Sequence, residues 1–160
     1  MNILKTMSGI ALATGLLFTQ SHSVARVSQV VLPMDTLVTV AAVEEISSKH
    51  VREGDVKMLQ IASEVSQNGV VVIPRGAPVK ATVSWRTGRG IVGKSGKFEL
   101  TFNSVTVNGV EYALKGKHRQ EGRGNTTGAL LGASFISGRS GVIESGQVMN
   151  AFTAVPIPGR

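Results

Sequence analysis

The chain has 160 residues, with 17 Lys and Arg against 10 Asp and Glu, three His and no Cys. The absence of cysteine excludes disulfides, thiolate metal sites and a cysteine nucleophile, and a net charge of +7 favours anionic partners over cationic ones. At the N-terminus, Lys5 precedes an apolar run from Met7 to Phe18, and Ser23 and Ala25 form a small-x-small exit. This is the pattern of a secretory leader, cleaved after Ala25. The run is shorter than the roughly 20 residues a spanning helix needs, and no cysteine follows it to carry a lipid. The expectation is a leader at 1–25 and one exported domain at 26–160, long enough for its own core. A basic, cysteine-free exported domain points to a bacterial periplasm, with outer-membrane association left open.

Past the leader, apolar residues alternate with polar ones. Leu37–Val43 and Val56–Ala62 read as strands joined by a polar loop that ends at Gly54-Asp55. Gln67-Asn68-Gly69 is a turn, and Val70–Ile73 a short strand stopped by Pro74. Val79, Ala81, Val83 and Trp85 fall on one face of the next strand. Phe98, Leu100 and Phe102 share a parity that Val105 and Val107 reverse, so a bulge is expected near Ser104. Asn108-Gly109 is a strong hairpin signal. Val110–Leu114 returns, and Val148–Val155 is the last strand. No long segment has a convincing helical period, except Thr126–Ser137. The fold expected is all-β, a small barrel or sandwich of about seven or eight strands, with a short glycine-rich helical or loop insert near 124–138.

One local plan occurs three times. Leu32-Pro33-Met34-Asp35, Ile73-Pro74-Arg75-Gly76 and Ile143-Glu144-Ser145-Gly146 each place an apolar residue three positions before Asp or Gly, and a strand follows. The plan reads as a corner: the chain turns through a left-handed residue and re-enters a sheet. The unequal spacings make it a repeated device within one domain.

Gly88-Arg89-Gly90-Ile91-Val92-Gly93-Lys94-Ser95 matches the phosphate-loop pattern G-x-x-x-x-G-K-[ST]. That loop works only where a helix N-terminus follows and faces the phosphates. Here Lys97–Phe102 alternates like a strand, and the only aspartates past the leader, Asp35 and Asp55, lie upstream. The expected reading is a basic, glycine-punctuated hairpin loop.

Other chemistry is sparse. His50 and His118 sit beside Lys or Arg with no second metal-type ligand near, and both are expected to be exposed. Glu44 and Glu45 are adjacent, so on a strand they would face opposite ways. Ser140 has only one flank of a nucleophile elbow. Trp85, Phe98, Phe102 and Tyr112 read as core more readily than as a sugar platform. No enzyme, cofactor or metal is expected. Arg75 to Arg123 carries ten Lys and Arg against three Glu, so Arg86, Arg89, Lys94, Lys97, Lys115, Lys117, Arg119 and Arg123 are the candidate contacts to an anion or a partner. For an exported chain that partner is an envelope protein or an anionic polymer such as peptidoglycan or lipopolysaccharide, in preference to nucleic acid.

Gly124, Gly128 and Gly132 are spaced by four, which on a helix makes a smooth stripe suited to self-association. The apolar part is about nine residues, or roughly 14 Å of helix, so any membrane contact is expected to be peripheral.

The run Ala62-Ser63-Glu64-Val65, Asn68-Gly69-Val70-Val71-Val72-Ile73-Pro74-Arg75-Gly76-Ala77-Pro78-Val79 resembles the C-terminal β-barrel of the type IV secretion and conjugation core-complex scaffold, the TrbI-like family. The succession after it is similar too: a basic strand Lys97–Val107, the Asn108-Gly109 step, Tyr112-Ala113-Leu114, a glycine-rich apolar insert, then Gly146-Gln147-Val148. The resemblance spans about Leu32 to Val155. It implies a non-enzymatic periplasmic barrel whose insert oligomerises at the outer membrane within a secretion apparatus. This chain departs from the family in having a signal-like start and room for one short helix in its insert. The alternative expectation is a soluble periplasmic module that binds an anionic envelope polymer through its basic loops.

Overall fold

A computed structural model describes residues 29–88, 94–122 and 139–159; the leader expected at 1–25, Arg89, Arg123 and the 124–138 segment, with Gly124, Gly128 and Gly132, lie outside the described residues. The described chain forms strands only: β1 (Val31–Leu32), β2 (Leu37–Ala42), β3 (Ile46–Ser47), β4 (Val56–Ile61), β5 (Val65–Gln67), β6 (Val70–Ile73), β7 (Pro78–Thr87), β8 (Lys97–Val107), β9 (Val110–Lys115), β10 (Lys117–Glu121), β11 (Val142–Ile143), β12 (Val148–Thr153) and β13 (Ile157–Pro158). Six of them close a barrel in the order β8-β7-β4-β2-β12-β9 and back to β8, and β10 adds a seventh strand beside β8. Every pairing is antiparallel. The all-β barrel expected from the alternation is the fold.

Alternation explains the core. Val38 and Val40 of β2, Leu59 and Ile61 of β4, Val79, Ala81 and Val83 of β7, Phe98, Leu100 and Phe102 of β8, and Met149 and Ala151 of β12 all point inward and are buried. The expected parity switch in β8 is present. Lys80 pairs with Ser104 while Ala81 pairs with Phe102, so Asn103 bulges out. Val105 and Val107 return to the core beyond it.

The repeated corner organises the barrel, and it occurs four times among the described residues. Besides the three read from sequence, Val51-Arg52-Glu53-Gly54-Asp55 does the same work where only a loop was expected. Leu32, Val51, Ile73 and Ile143 are all buried, and Asp35, Gly54, Gly76 and Gly146 all have φ between 64° and 88°. Each left-handed residue donates its N–H to a neighbouring strand: Asp35 to Thr153 O, Gly54 to Val83 O, Gly76 to Ile61 O and Gly146 to Ala42 O, at 2.8–2.9 Å. Each of those acceptors donates back to the next residue of its corner: Thr36, Asp55, Ala77 or Gln147. The paired bonds clasp the corner to the barrel wall and satisfy backbone groups that a sharp turn would otherwise strand. At three corners the neighbouring strand then bends away into β13, β5 or β3, which pairs with β1, β6 or β11 beside the corner. β5 was not expected from sequence.

Candidate functional site

β7, β8 and β10 carry four of the eight basic residues singled out in the sequence, Arg86, Lys97, Lys117 and Arg119. Three cross-strand rows define this end of the barrel: Trp85–Glu99–Arg119, Arg86–Phe98–Gln120 and Thr87–Lys97–Glu121. The register shifts between Val83 and Trp85. Trp85 therefore leaves the face it was expected to share with Val83, and its ring instead lies 4.6 Å from the Arg119 guanidinium carbon, a cation–π contact. Phe98 and Phe102 are core as expected, and Tyr112 packs against the core from a half-buried position.

Lys115 to Arg123, expected to be a loop, contains β10. Lys117, Arg119 and Glu121 lie on its outer face, and His118 and Gln120 are half-buried on the other. His118 is thus not the exposed loop residue expected: its Nε2 lies 3.3 Å from Gln120 Oε1, and Gln147 Nε2 donates to the same oxygen. His50 is exposed, as expected.

Most of the described candidate cations have a carboxylate. Lys97 Nζ is 3.0 Å from Glu121, Lys117 Nζ 3.0 Å from Glu99 and Arg119 Nε 2.9 Å from Glu121, while Lys115 turns to Asp35 in the first corner. Such exposed pairs are screened and individually weak. Arg86 differs. Its main-chain N–H donates to Glu53 Oε1 at 3.1 Å, and its side-chain Nε is enclosed without a hydrogen-bond partner among the described residues. Lys94 is exposed just ahead of β8. The three rows hold Arg86, Lys97 and Arg119 against Glu99 and Glu121, Glu53 reaches the Arg86 main chain, and Lys117 and Lys94 lie just beyond on β10 and ahead of β8, so this end of the barrel is net positive among the described residues.

The lysine hydrogen bonds push three carboxyls below the ordinary range: Lys117, helped by Ser84, acts on Glu99, Lys80 on Glu111 and Lys97 on Glu121. A carboxyl with a depressed folded pKa contributes stability above its unfolded pKa, and that stability is lost as pH falls through the folded value. The denaturation midpoint is expected to fall as pH drops below about 4, and a Glu99→Gln, Glu111→Gln, Glu121→Gln triple variant should flatten that slope. An unchanged slope in the triple variant would show that these pairs do not set the acid limit.

Three glycines join at the same end. Gly96 O accepts from Gly122 N at 3.0 Å and from Gly141 N at 2.9 Å, and Gly96 N donates to Arg139 O. Ser48, itself buried, seals the join: its N–H donates to Gly141 O and its Oγ accepts from Gly141 N. The chain leaves at Gly122 and returns at Arg139 in direct backbone contact, because a Cβ on Gly122 would lie 2.0 Å from Arg139 O. Ser140, weighed as a nucleophile, contributes backbone to this junction.

The phosphate-loop match ends at Lys94-Ser95, Gly96 follows, and β8 begins at Lys97. A strand stands where the motif needs a helix N-terminus. An open groove of about 580 Å³ runs between the Gly76 and Gly146 corners and is lined by Thr39, Gln60, Ala62 and Val148. Arg75 is its one titratable lining residue. Among the described residues no three His, Cys, Asp or Glu side chains are grouped to hold a metal, and no helix is long and apolar enough to cross a membrane.

Fold and site together define a small closed antiparallel β-barrel with a filled interior and a basic end. No protein-family model matches the chain, and no curated protein matches it significantly.

Proposed function

We propose that the chain is a non-enzymatic exported module of the cell envelope, a β-barrel that works by holding protein partners or further copies of itself. The reading follows from the leader pattern and from the barrel of the secretion scaffold that the sequence resembles. The observation that carries it is the junction at Gly122 and Arg139. The barrel closes on its described strands, and residues 123–138 are spliced between two points already in contact. That is also where the order of parts places the oligomerising insert of the scaffold family. Segments that a closed barrel does not use for its own strands are where binding residues concentrate.

Light scattering on the leader-free chain tests this. The wild type is expected to be multimeric, and Gly128→Leu to reduce its mass. Replacing residues 123–138 by a Gly-Ser linker should leave cooperative unfolding intact. A monomeric wild type at micromolar concentration that also captures no envelope protein would sink the proposal.

A further inference from the structure

β9 and β10 act as one long strand with a break at Gly116, and the break opens the wall of the barrel. On the β9 side the strand pairs with β12: Leu114 opposite Thr153 and Lys115 opposite Phe152. Gly116, at φ 125°, lies against Ala151, where an ideal Cβ would sit 3.5 Å from Ala151 Cα. Beyond that point β10 follows β8, and β12 follows β2 instead. The two strands therefore diverge from an apex at Gly116 and Ala151.

Hydrogen-bond phase shows which groups face the opening. Phe102 N donates to Gly116 O and Gly122 N to Gly96 O, each at 3.0 Å, which brackets β10. In an antiparallel ladder the bonded pairs alternate, so His118 and Gln120 exchange bonds with Leu100 and Phe98. Lys117, Arg119 and Glu121 turn their N–H and C=O groups away from β8. On β12, Ala42 N donates to Gln147 O, so Met149 and Ala151 bond to β2, while Val148 and Asn150 face β10. Among the described residues these outward main-chain groups have no protein partner. Edges of this kind are templates for another strand.

From this geometry we infer that the free edge of β10 captures an extended, acidic segment of a partner protein by strand addition. Charge selects the occupant. Lys117 and Arg119 project on the outer face of the edge, and with Lys97 they outnumber the carboxylates beside them, Glu99 and Glu121. Lysine and arginine on an edge repel basic and discourage apolar strands, and they leave an acid-bearing strand as the favoured addition. Alternating acids on that strand would lie beside Lys117 and Arg119. The inference goes beyond the scaffold reading and stands without it, because the edge would bind whether or not the chain self-associates.

The test uses the full leader-free chain and an acetylated, amidated peptide of four Val-Glu repeats. Amide exchange followed by NMR should be fast at Lys117, Arg119 and Glu121 and slow at His118 and Gln120 in the free protein. Saturating peptide should slow the first three. Arg119→Pro removes an N–H that points at the partner and none that points at β8, so it should weaken binding at least about tenfold more than Arg119→Ala. Both variants lose the same charge, so the difference between them reports the main chain. Circular dichroism checks that the proline variant is folded; if it is not, the exchange pattern of the wild type decides. Four outcomes overturn the inference: no binding, equal binding of a Val-Lys peptide, protection of the three amides already in the dilute free chain, or protection that grows with protein concentration alone.

Discussion

Gly122→Ala is expected to destabilise the protein by about 3 kcal/mol, the upper range for forcing an added group into a packed site. The added Cβ would meet Arg139 O at 2.0 Å, Ser140 C at 2.5 Å and Ser140 O at 2.6 Å. All three are backbone atoms, so no side-chain rotation relieves the clash. The junction must open, and opening it breaks the bonds through which Gly96 O holds Gly122 and Gly141. For a domain of this size the loss corresponds to roughly 10 °C in Tm. Gly88 is the control: among the described residues the nearest atom to its Cβ is a side-chain nitrogen of Arg86 at 4.0 Å, and Gly88→Ala should leave Tm nearly unchanged. Urea denaturation of both variants measures the difference, and equal midpoints would show that the junction is not a fixed part of the barrel.

Phe98→Ala is expected to cost about 3–5 kcal/mol. Phe98 is fully buried on β8, in register with Arg86 and Gln120, and belongs to the single core that fills the barrel. Its removal leaves a cavity that flanking strands cannot close, because the corner clasps hold neighbouring strands in place. Phe152 of β12 offers the contrast. It is 40% exposed on the outer face, and Phe152→Ala should cost under about 1 kcal/mol. Comparable losses at the two positions would mean that the outer face is covered in solution. That result would bear on the scaffold proposal directly.

Local features of the fold were legible in the sequence for physical reasons. Alternation in β2, β4, β7, β8 and β12 marks two faces because successive side chains on a strand point opposite ways. The corners at Asp35, Gly76 and Gly146 could be read because a left-handed residue after a buried apolar one is a short-range requirement. The corner at Gly54 follows the same rule. It escaped notice because the charged residues around it, Lys49, Arg52, Glu53 and Asp55, give it the look of an ordinary loop. β10 was missed for a related reason: Lys117-His118-Arg119-Gln120-Glu121 has no apolar alternation, and it is a strand only because β8 is long enough to pair with it.

The candidate site was less legible. Its cations could be named from composition, but the carboxylate partners of three of them are remote in sequence: Glu99 for Lys117, Asp35 for Lys115 and Glu121 for Lys97. Trp85 was placed on the wrong face because a bulge shifts parity without leaving a mark in residue type.

By itself, then, the sequence determined β2, β4, β6 to β9 and β12, three of the four described corners, and the net positive charge, since each depends on a residue and its near neighbours. Tertiary structure alone decided that β8, β9 and β12 close the barrel, that Gly96, Gly122 and Gly141 meet, and that β10 pairs with β8 alone among the described strands. These depend on register between segments far apart in the chain, and register is set by the packing of the whole core.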